Sequence, residues 1–363
     1  MHPKTRVSVL APDEQPLMPA EYRRACQWVE AGIAEWVSND LNIKQVRLLQ
    51  EPSGRATQPI VVGIDPGKKF SGIAVQSSLF TLFTAHLILP FPNITKKMTG
   101  RRMLRRARRG RRINRKIAFQ LRAHRQKRFK NRKQKKLPPS VRANREFELR
   151  LSQELFQLFP IATVVYEYIK ARGDKAFSPV MVGQKKMLEW LSQFAPVVTQ
   201  LGWKTSNLRC HLGLQKDKTD KSRQTPQTHA VDGIALAASQ FVQYVPFHNG
   251  NEHGHEWRGT VRMTSAPFRV IARPNFFRRQ LHFENFSKGR VRKRKGGTVT
   301  PWGFRSGDFV QAQKAGKLYR GWIGGFSEVN KVVSVYDHNW HRIGQFCASK
   351  VQPIKRSTKL CVA

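Results

Sequence analysis

The sequence predicts an α/β protein: a sheet with carboxylates at its strand ends, one very basic helix, and a small β-barrel towards the C-terminus. Three observations lead there. The apolar run Ile60-Val61-Val62-Gly63-Ile64 delivers Asp65 to a Pro66-Gly67 turn, and Gly72-Ile73-Ala74-Val75 has the composition of the returning strand of a hairpin. No acidic residue then occurs until Glu146, and Arg101–Lys116 is the densest part of that basic segment. From Gly307 onward, short strand candidates alternate with Gly and Asn/Asp turns, the spacing of a small barrel.

The charge narrows the function classes. Lys and Arg number 66 against 23 Asp and Glu, a net of +43 over 363 residues. Self-repulsion on that scale calls for a polyanionic partner, with nucleic acid ahead of a membrane surface. No apolar run reaches about 18 residues, so no transmembrane helix is expected. The stretch Met1-His2-Pro3-Lys4 lacks a signal-peptide core, which points to a cytoplasmic protein. Cys26, Cys210, Cys347 and Cys361 form no C-x-x-C pair, so a zinc ribbon is not indicated.

In chain order, Pro16-Leu17-Met18-Pro19 reads as a rigid apolar turn, Ala20–Ala31 as a helix capped near Gly32, and Ala34–Val37 and Val46–Leu49 as short strands. Within the basic segment, Leu104, Ala107, Ile113, Ile117 and Leu121 recur near helical spacing, with Gly110 interrupting. Arginines cover the rest of that cylinder, which would suit phosphates on several sides. Glu146–Phe159 is an amphipathic helix stopped by Pro160, and Ala162–Tyr166 a buried strand ending at Glu167. Gln184–Phe194 reads as a helix, Val197–Thr199 as a strand, Lys216–Gln227 as a loop, and His229–Val242 as a helix. His248–Arg258 reads as a polar loop in which His248, His253 and His255 lack a scaffold for metal binding, and Arg273–Lys295 is basic with interleaved Phe.

Asp65, Glu167 and Asp232 share one logic, a carboxylate at the end of an apolar element. Phosphodiester cleavage needs an activated water and a stabilised leaving oxygen, and two divalent ions about 4 Å apart supply both. Mg²⁺ or Mn²⁺ takes oxygen ligands and keeps several waters, so a few carboxylates on separate elements suffice. His229 and Asp232 stand three apart and share a helix face, so His229 is a candidate to ligate metal or to orient or deprotonate the water. Hairpin, strand and helix, each with a carboxylate, are the arrangement of an RNase H-like site. Taken singly, each acid also has an ordinary reading as a turn, strand-end or helix-start residue.

The combination resembles a family. Pro16-Leu17-Met18-Pro19, Gly63-Ile64-Asp65-Pro66-Gly67, Arg101–Lys116 and His229-Ala230-Val231-Asp232 look like the transposon-encoded IscB/IsrB proteins, RNA-guided relatives of the CRISPR effector nucleases. Leu212-Gly213-Leu214-Gln215-Lys216 resembles the run before the third nuclease motif, and Lys295-Gly296-Gly297 with Phe304–Asp308 the domain that reads a target-adjacent motif. The resemblance implies a PLMP module over 1–57 and a first RuvC-like segment over 58–95. It implies an arginine-rich bridge helix and basic linker over 96–145, and RuvC-like segments two and three over 146–245. The β-barrel domain contacting the adjacent motif would span 246–363.

The resemblance further implies a catalytic set of Asp65, Glu167, His229 and Asp232, with two Mg²⁺ or Mn²⁺ ions on the three acids. Arg101, Arg102, Arg105, Arg106, Arg108, Arg109, Arg111, Arg112 and Arg115 would bind nucleic acid. The gap between Glu167 and His229 is too short for an HNH nuclease, which matches the HNH-lacking IsrB branch. The implied activity is an RNA-guided nickase of the non-target DNA strand. Its partners would be a structured guide RNA and a duplex with a short adjacent motif, in a monomeric ribonucleoprotein. The alternatives are a guide-independent, structure-specific resolvase and a non-catalytic RNA-binding protein.

Overall fold

The run at Ile60 forms the middle of a seven-stranded sheet. The computed structural model describes residues 6–112, 116–121, 137–170, 178–249, 252–274 and 299–363, with the side chains of 108–112 outside the described set.

Ahead of that sheet lies a smaller one. It is built from β1 (Arg6–Leu10), β2 (Pro16–Glu21), β3 (Ala34–Trp36) and β4 (Gln45–Leu48), in the order β2-β1-β4-β3. Helix α1 (Tyr22–Glu30) ends at Gly32, whose φ of 69° an L side chain rarely adopts. Pro16–Pro19 is not the turn expected from its prolines but the start of β2, paired antiparallel with β1. β2 is an edge strand, the place in a sheet where proline is tolerated.

The main sheet opens with an antiparallel meander, β5 (Ile60–Asp65), β6 (Phe70–Ser77) and β7 (Thr81–Ile88). Helix α2 (Ile94–Arg112) and helix α3 (Pro139–Leu158) follow. β8 (Ile161–Tyr168) then joins β5 in parallel. After α4 (Pro179–Leu191), β9 (Val197–Leu201) joins β8 in parallel. Helices α5 (Gly202–His211) and α6 (Ala230–Ala238) complete this region.

Strand alternation sorts the two faces. Ile60, Val62 and Ile64 of β5 pack with Phe147, Leu151 and Leu155 of α3, and Met187 and Leu191 of α4 join the same core. Val61 of β5 and Val165 of β8 meet Leu236 and Ala237 of α6 on the other face. There the helix comes so close that a Cβ at Gly63 would stand 2.0 Å from the Gly233 carbonyl oxygen. Only glycine permits that approach.

The basic helix differs from expectation. α2 runs through Gly110 rather than breaking there. Ile94 is buried at its start, but 101–107 are exposed, with Leu104 60% accessible. The periodic apolar residues do not dock on the sheet among the described residues: with arginines all round, no face could be buried without burying charge.

The C-terminal third is woven into the main sheet rather than set apart. After the two-stranded ribbon of β10 (Gln243–Asn249) and β11 (Glu252–Arg258), β12 (Phe268–Ala272) pairs in parallel with β7. The strands β13 (Phe309–Lys314), β14 (Lys317–Ser327), β15 (Val332–Tyr336), β16 (Arg342–Cys347) and β17 (Val351–Lys355) make an antiparallel sheet in the order β16-β15-β14-β13-β17. Its core is Val310, Ala312, Ile323, Val333, Val335 and Phe346. Among the described residues β16 and β17 do not pair, so this is a five-stranded sheet where a small barrel was expected. Finally β18 (Cys361–Val362) pairs with β12 at the edge of the main sheet. Among the described residues no helix is long and apolar enough to cross a membrane.

Candidate active site

Register brings the acids together. Gly63 of β5 stands beside Val165 of β8. Two residues further along each strand lie Asp65 and Glu167, on the same face because side chains alternate with period two. That is the face α6 covers, and Asp232 sits in its first turn. The expected trio thus converges at the C-terminal ends of the two parallel strands.

The electrostatics record the convergence. Burial raises the Asp65 carboxyl well above the usual carboxylate range, and Glu167 and Asp232 add to the shift. Burial also raises Glu167, Asp232 pushes it further, and the Thr205 hydroxyl pulls the other way. α5 begins directly against this acid: a Cβ at Gly202 would lie 2.9 Å from Glu167 Oε1. Asp232 is 3% accessible and doubly ion-paired, with Arg209 Nη1 2.5 Å from Oδ1 and Lys216 Nζ on Oδ2.

A second network fixes the turn after Asp65. Arg145 of α3 donates to the Gly67 carbonyl at 3.1 Å and to the Tyr166 hydroxyl at 3.2 Å, and lies 2.9 Å from Glu148. The Ser71 hydroxyl donates to Glu148 at 2.5 Å and accepts from the Gly67 N–H at 3.1 Å. Arg145 and Glu148 are both buried. Burial raises the Glu148 carboxyl to about 6, against the opposing pull of Arg145 and Ser71.

His229 precedes α6 as its N-cap residue and donates Nε2–H to the Lys221 carbonyl at 3.0 Å. Its ring packs on Phe70 and, edge-on, on His86, with centroids 5.5 and 5.0 Å away. Burial lowers its pKa, so the ring is neutral near pH 7 and Nδ1 carries the lone pair. His86 is fully buried, and burial followed by the charge of His229 lowers it to about 4.

The donor set suits a hard divalent ion. Among the described residues no Lys, Arg or His lies within ion-pair distance of Asp65 or Glu167; Glu167 and Asp232 raise the cost of ionising Asp65, and Asp232 raises that of Glu167. A divalent cation would remove that repulsion. Among the described residues no three His, Cys, Asp or Glu side chains stand close enough together to hold a metal ion by themselves. An open set is what an ion that retains water and substrate oxygens uses.

Four features escaped sequence reading. Arg209, Lys216, Arg145 and Glu148 lie in segments whose pairing depends on chain packing rather than on local pattern. The run Leu212–Lys216 was the one signal pointing at Lys216. Of the arginine set, Arg101, Arg102, Arg105 and Arg106 are exposed on α2. The side chains of Arg108, Arg109, Arg111 and Arg112, all of Arg115, and the Lys295–Gly297 stretch lie outside the described residues. His248, His253 and His255 stand on the β10–β11 ribbon, not in a loop.

No curated protein matches the chain. Several solved structures show weak likeness. Two of them are T. thermophilus RuvC in complex with a Holliday junction substrate (15% identity, 50% of this chain and 90% of that one, TM-score 0.27) and Thermus thermophilus RuvC alone (14%, 49% and 90%, TM-score 0.26). The profile of the family described as RRXRR protein matches residues 7–185. Within that span the spelled pattern occurs twice, as Arg105-Arg106-Ala107-Arg108-Arg109 and Arg108-Arg109-Gly110-Arg111-Arg112.

Proposed function

We propose that this chain is an RNA-guided DNA endonuclease that nicks the non-target strand of a guide-matched duplex. The observation that carries the reading is the meeting of Asp65, Glu167 and Asp232 on one face of the main sheet. The exposed arginines of α2 support it, because a guide is gripped through its phosphates while base pairing reads sequence. So does the segment between β8 and α6. Its described residues form α4, β9 and α5, each packed with the sheet or its helices, and the loop 212–229.

In this reading Asp65, Glu167 and Asp232 hold two Mg²⁺ or Mn²⁺ ions, which would activate water and stabilise the leaving oxygen. The Arg145–Glu148 network keeps the Pro66-Gly67 turn, and with it Asp65, in place. Nδ1 of His229 is the free nitrogen for orienting or deprotonating the attacking water. Lys216, paired with Asp232, would have to give way to any ion that Asp232 holds.

The test uses the full chain, the RNA encoded beside its gene, a supercoiled target plasmid and Mg²⁺. Nicked circles are expected, and Asp65→Ala should abolish nicking while guided binding persists in a gel shift. Nicking that survives Asp65→Ala, or RNA-independent cutting of branched DNA, overturns the proposal.

A further inference from the structure

The β10–β11 ribbon carries a side-chain pattern that the proposed nuclease site does not use. Its antiparallel register pairs Tyr244 with Trp257, Pro246 with His255, and His248 with His253. Period two therefore places all six on one face. The acidic residues Glu252 and Glu256 fall on the opposite face with Gln243, Val245 and Phe247. One face is thus aromatic and free of acids.

The rings along this face form two stacked pairs. Tyr244 and His255 stack at 5.0 Å with an interplanar angle of 18°, and His248 and His253 stack at 6.3 Å. Trp203, 58% accessible, meets Tyr244 edge-on at 6.0 Å. Lys204 Nζ sits 5.4 Å from the Tyr244 ring and 5.5 Å from Trp257. Trp257 anchors the ribbon: it is buried and donates Nε1–H to Asn207 of α5 at 2.6 Å. The three histidines are exposed. Folding a helix-anchored ribbon explains Tyr244 and Trp257, but not a row of exposed flat rings beyond them.

The row begins at the candidate site. Trp203 follows Gly202, the residue pressed against Glu167. From Tyr244 to His248 the ribbon runs about 13 Å at a strand rise of about 3.3 Å per residue. That is room for three or four bases at about 3.4 Å each. Flat rings with a nearby Lys are the chemistry that binds unpaired bases without reading them.

We propose that Trp203 and the histidine face of the ribbon form a stacking track for unpaired DNA bases, guiding the single strand that reaches the carboxylates. The choice of DNA as occupant rests on the nuclease reading above; the track itself does not.

The test measures binding of the full chain to a short fluorescent DNA strand, with and without bases at the central positions, at several salt concentrations. Trp203→Ala combined with His255→Ala should weaken binding of the intact strand about tenfold or more, the scale of one stacked base. The abasic strand should bind both proteins alike, and the salt slope should stay unchanged because no phosphate contact is lost. Trp203→Phe with His255→Tyr should restore binding. Binding is read without divalent metal and without any cleavage step, which separates this result from the fate of the cleavage proposal. Equal affinity of wild type and the double variant for the intact strand overturns the track. A loss confined to RNA of the same sequence overturns the assignment to DNA.

Discussion

Two buried ion networks flank the carboxylates, and they are built differently. Arg145 and Glu148 are 2% and 0% accessible, and their side-chain hydrogen-bond partners outside α3 belong to the turn or strands that position Asp65. Asp232 is as deeply buried, but one of its two cations, Lys216, comes from a loop and is 22% accessible. The first network is closed, and the second has a partner that can leave. A buried ion pair gains little net stability over an apolar replacement, yet breaking it is costly because one charge stays behind. The closed pair therefore fixes geometry, whereas the open one leaves Asp232 with one buried partner and one that solvent reaches.

The strongest way to break the contrast is Arg145→Ala. It strands Glu148 and frees the Gly67 carbonyl, and the expected loss is about 3–5 kcal/mol of unfolding free energy. Chemical denaturation measures it. Adding Glu148→Gln should recover part of the loss, since the stranded charge is gone. A single variant as stable as wild type would mean the pair does not lock the turn.

Acid should act through His86, which lies on the Asp232 side. Its pKa is about 4 in the folded chain against 6.5 for the free side chain. A group depressed by folding contributes stability that is complete above its unfolded pKa and lost as pH falls through the folded one. The window is therefore pH 6.5 down to 4, and the loss is about 3 kcal/mol. Denaturation of wild type and His86→Phe across that range should show a shallower pH slope in the variant. Parallel slopes would remove His86 from the account of acid sensitivity.

How far the sequence reveals all this depends on whether a signal is local. Asp65 and Glu167 were legible because apolar alternation shows where a strand ends, and the same alternation assigns the face. α3 was read from Glu146, seven residues after its start at Pro139, because its first turns carry charge where a core stripe was sought. β11 was missed because Glu252, His253, His255 and Glu256 are polar on both faces, so no alternation survives. α5 lacks an apolar period altogether. β12 and β18 join the main sheet through edge pairing across a long chain separation, which leaves no mark on either segment. Lys216 belongs with these: its pairing with Asp232 is a fact of loop packing.

Lys216 offers the smallest effect and the sharpest comparison. Lys216→Met removes the exchangeable cation but leaves Arg209 on Asp232, 2.5 Å away and 8% accessible. Stability should change by less than about 1 kcal/mol, as for other partly exposed pairs. Metal affinity should move more visibly. If Lys216 competes with the incoming ion for Asp232, its removal tightens Mn²⁺ binding by roughly fivefold, the equivalent of about 1 kcal/mol. Titration followed by Mn²⁺ electron paramagnetic resonance reads this directly and needs neither RNA nor DNA. Arg209→Met, the buried partner, should instead destabilise the chain without the same gain in affinity. Unchanged or weaker Mn²⁺ binding in Lys216→Met would place Lys216 with Arg145, as part of a fixed scaffold, and the contrast between the two networks would collapse.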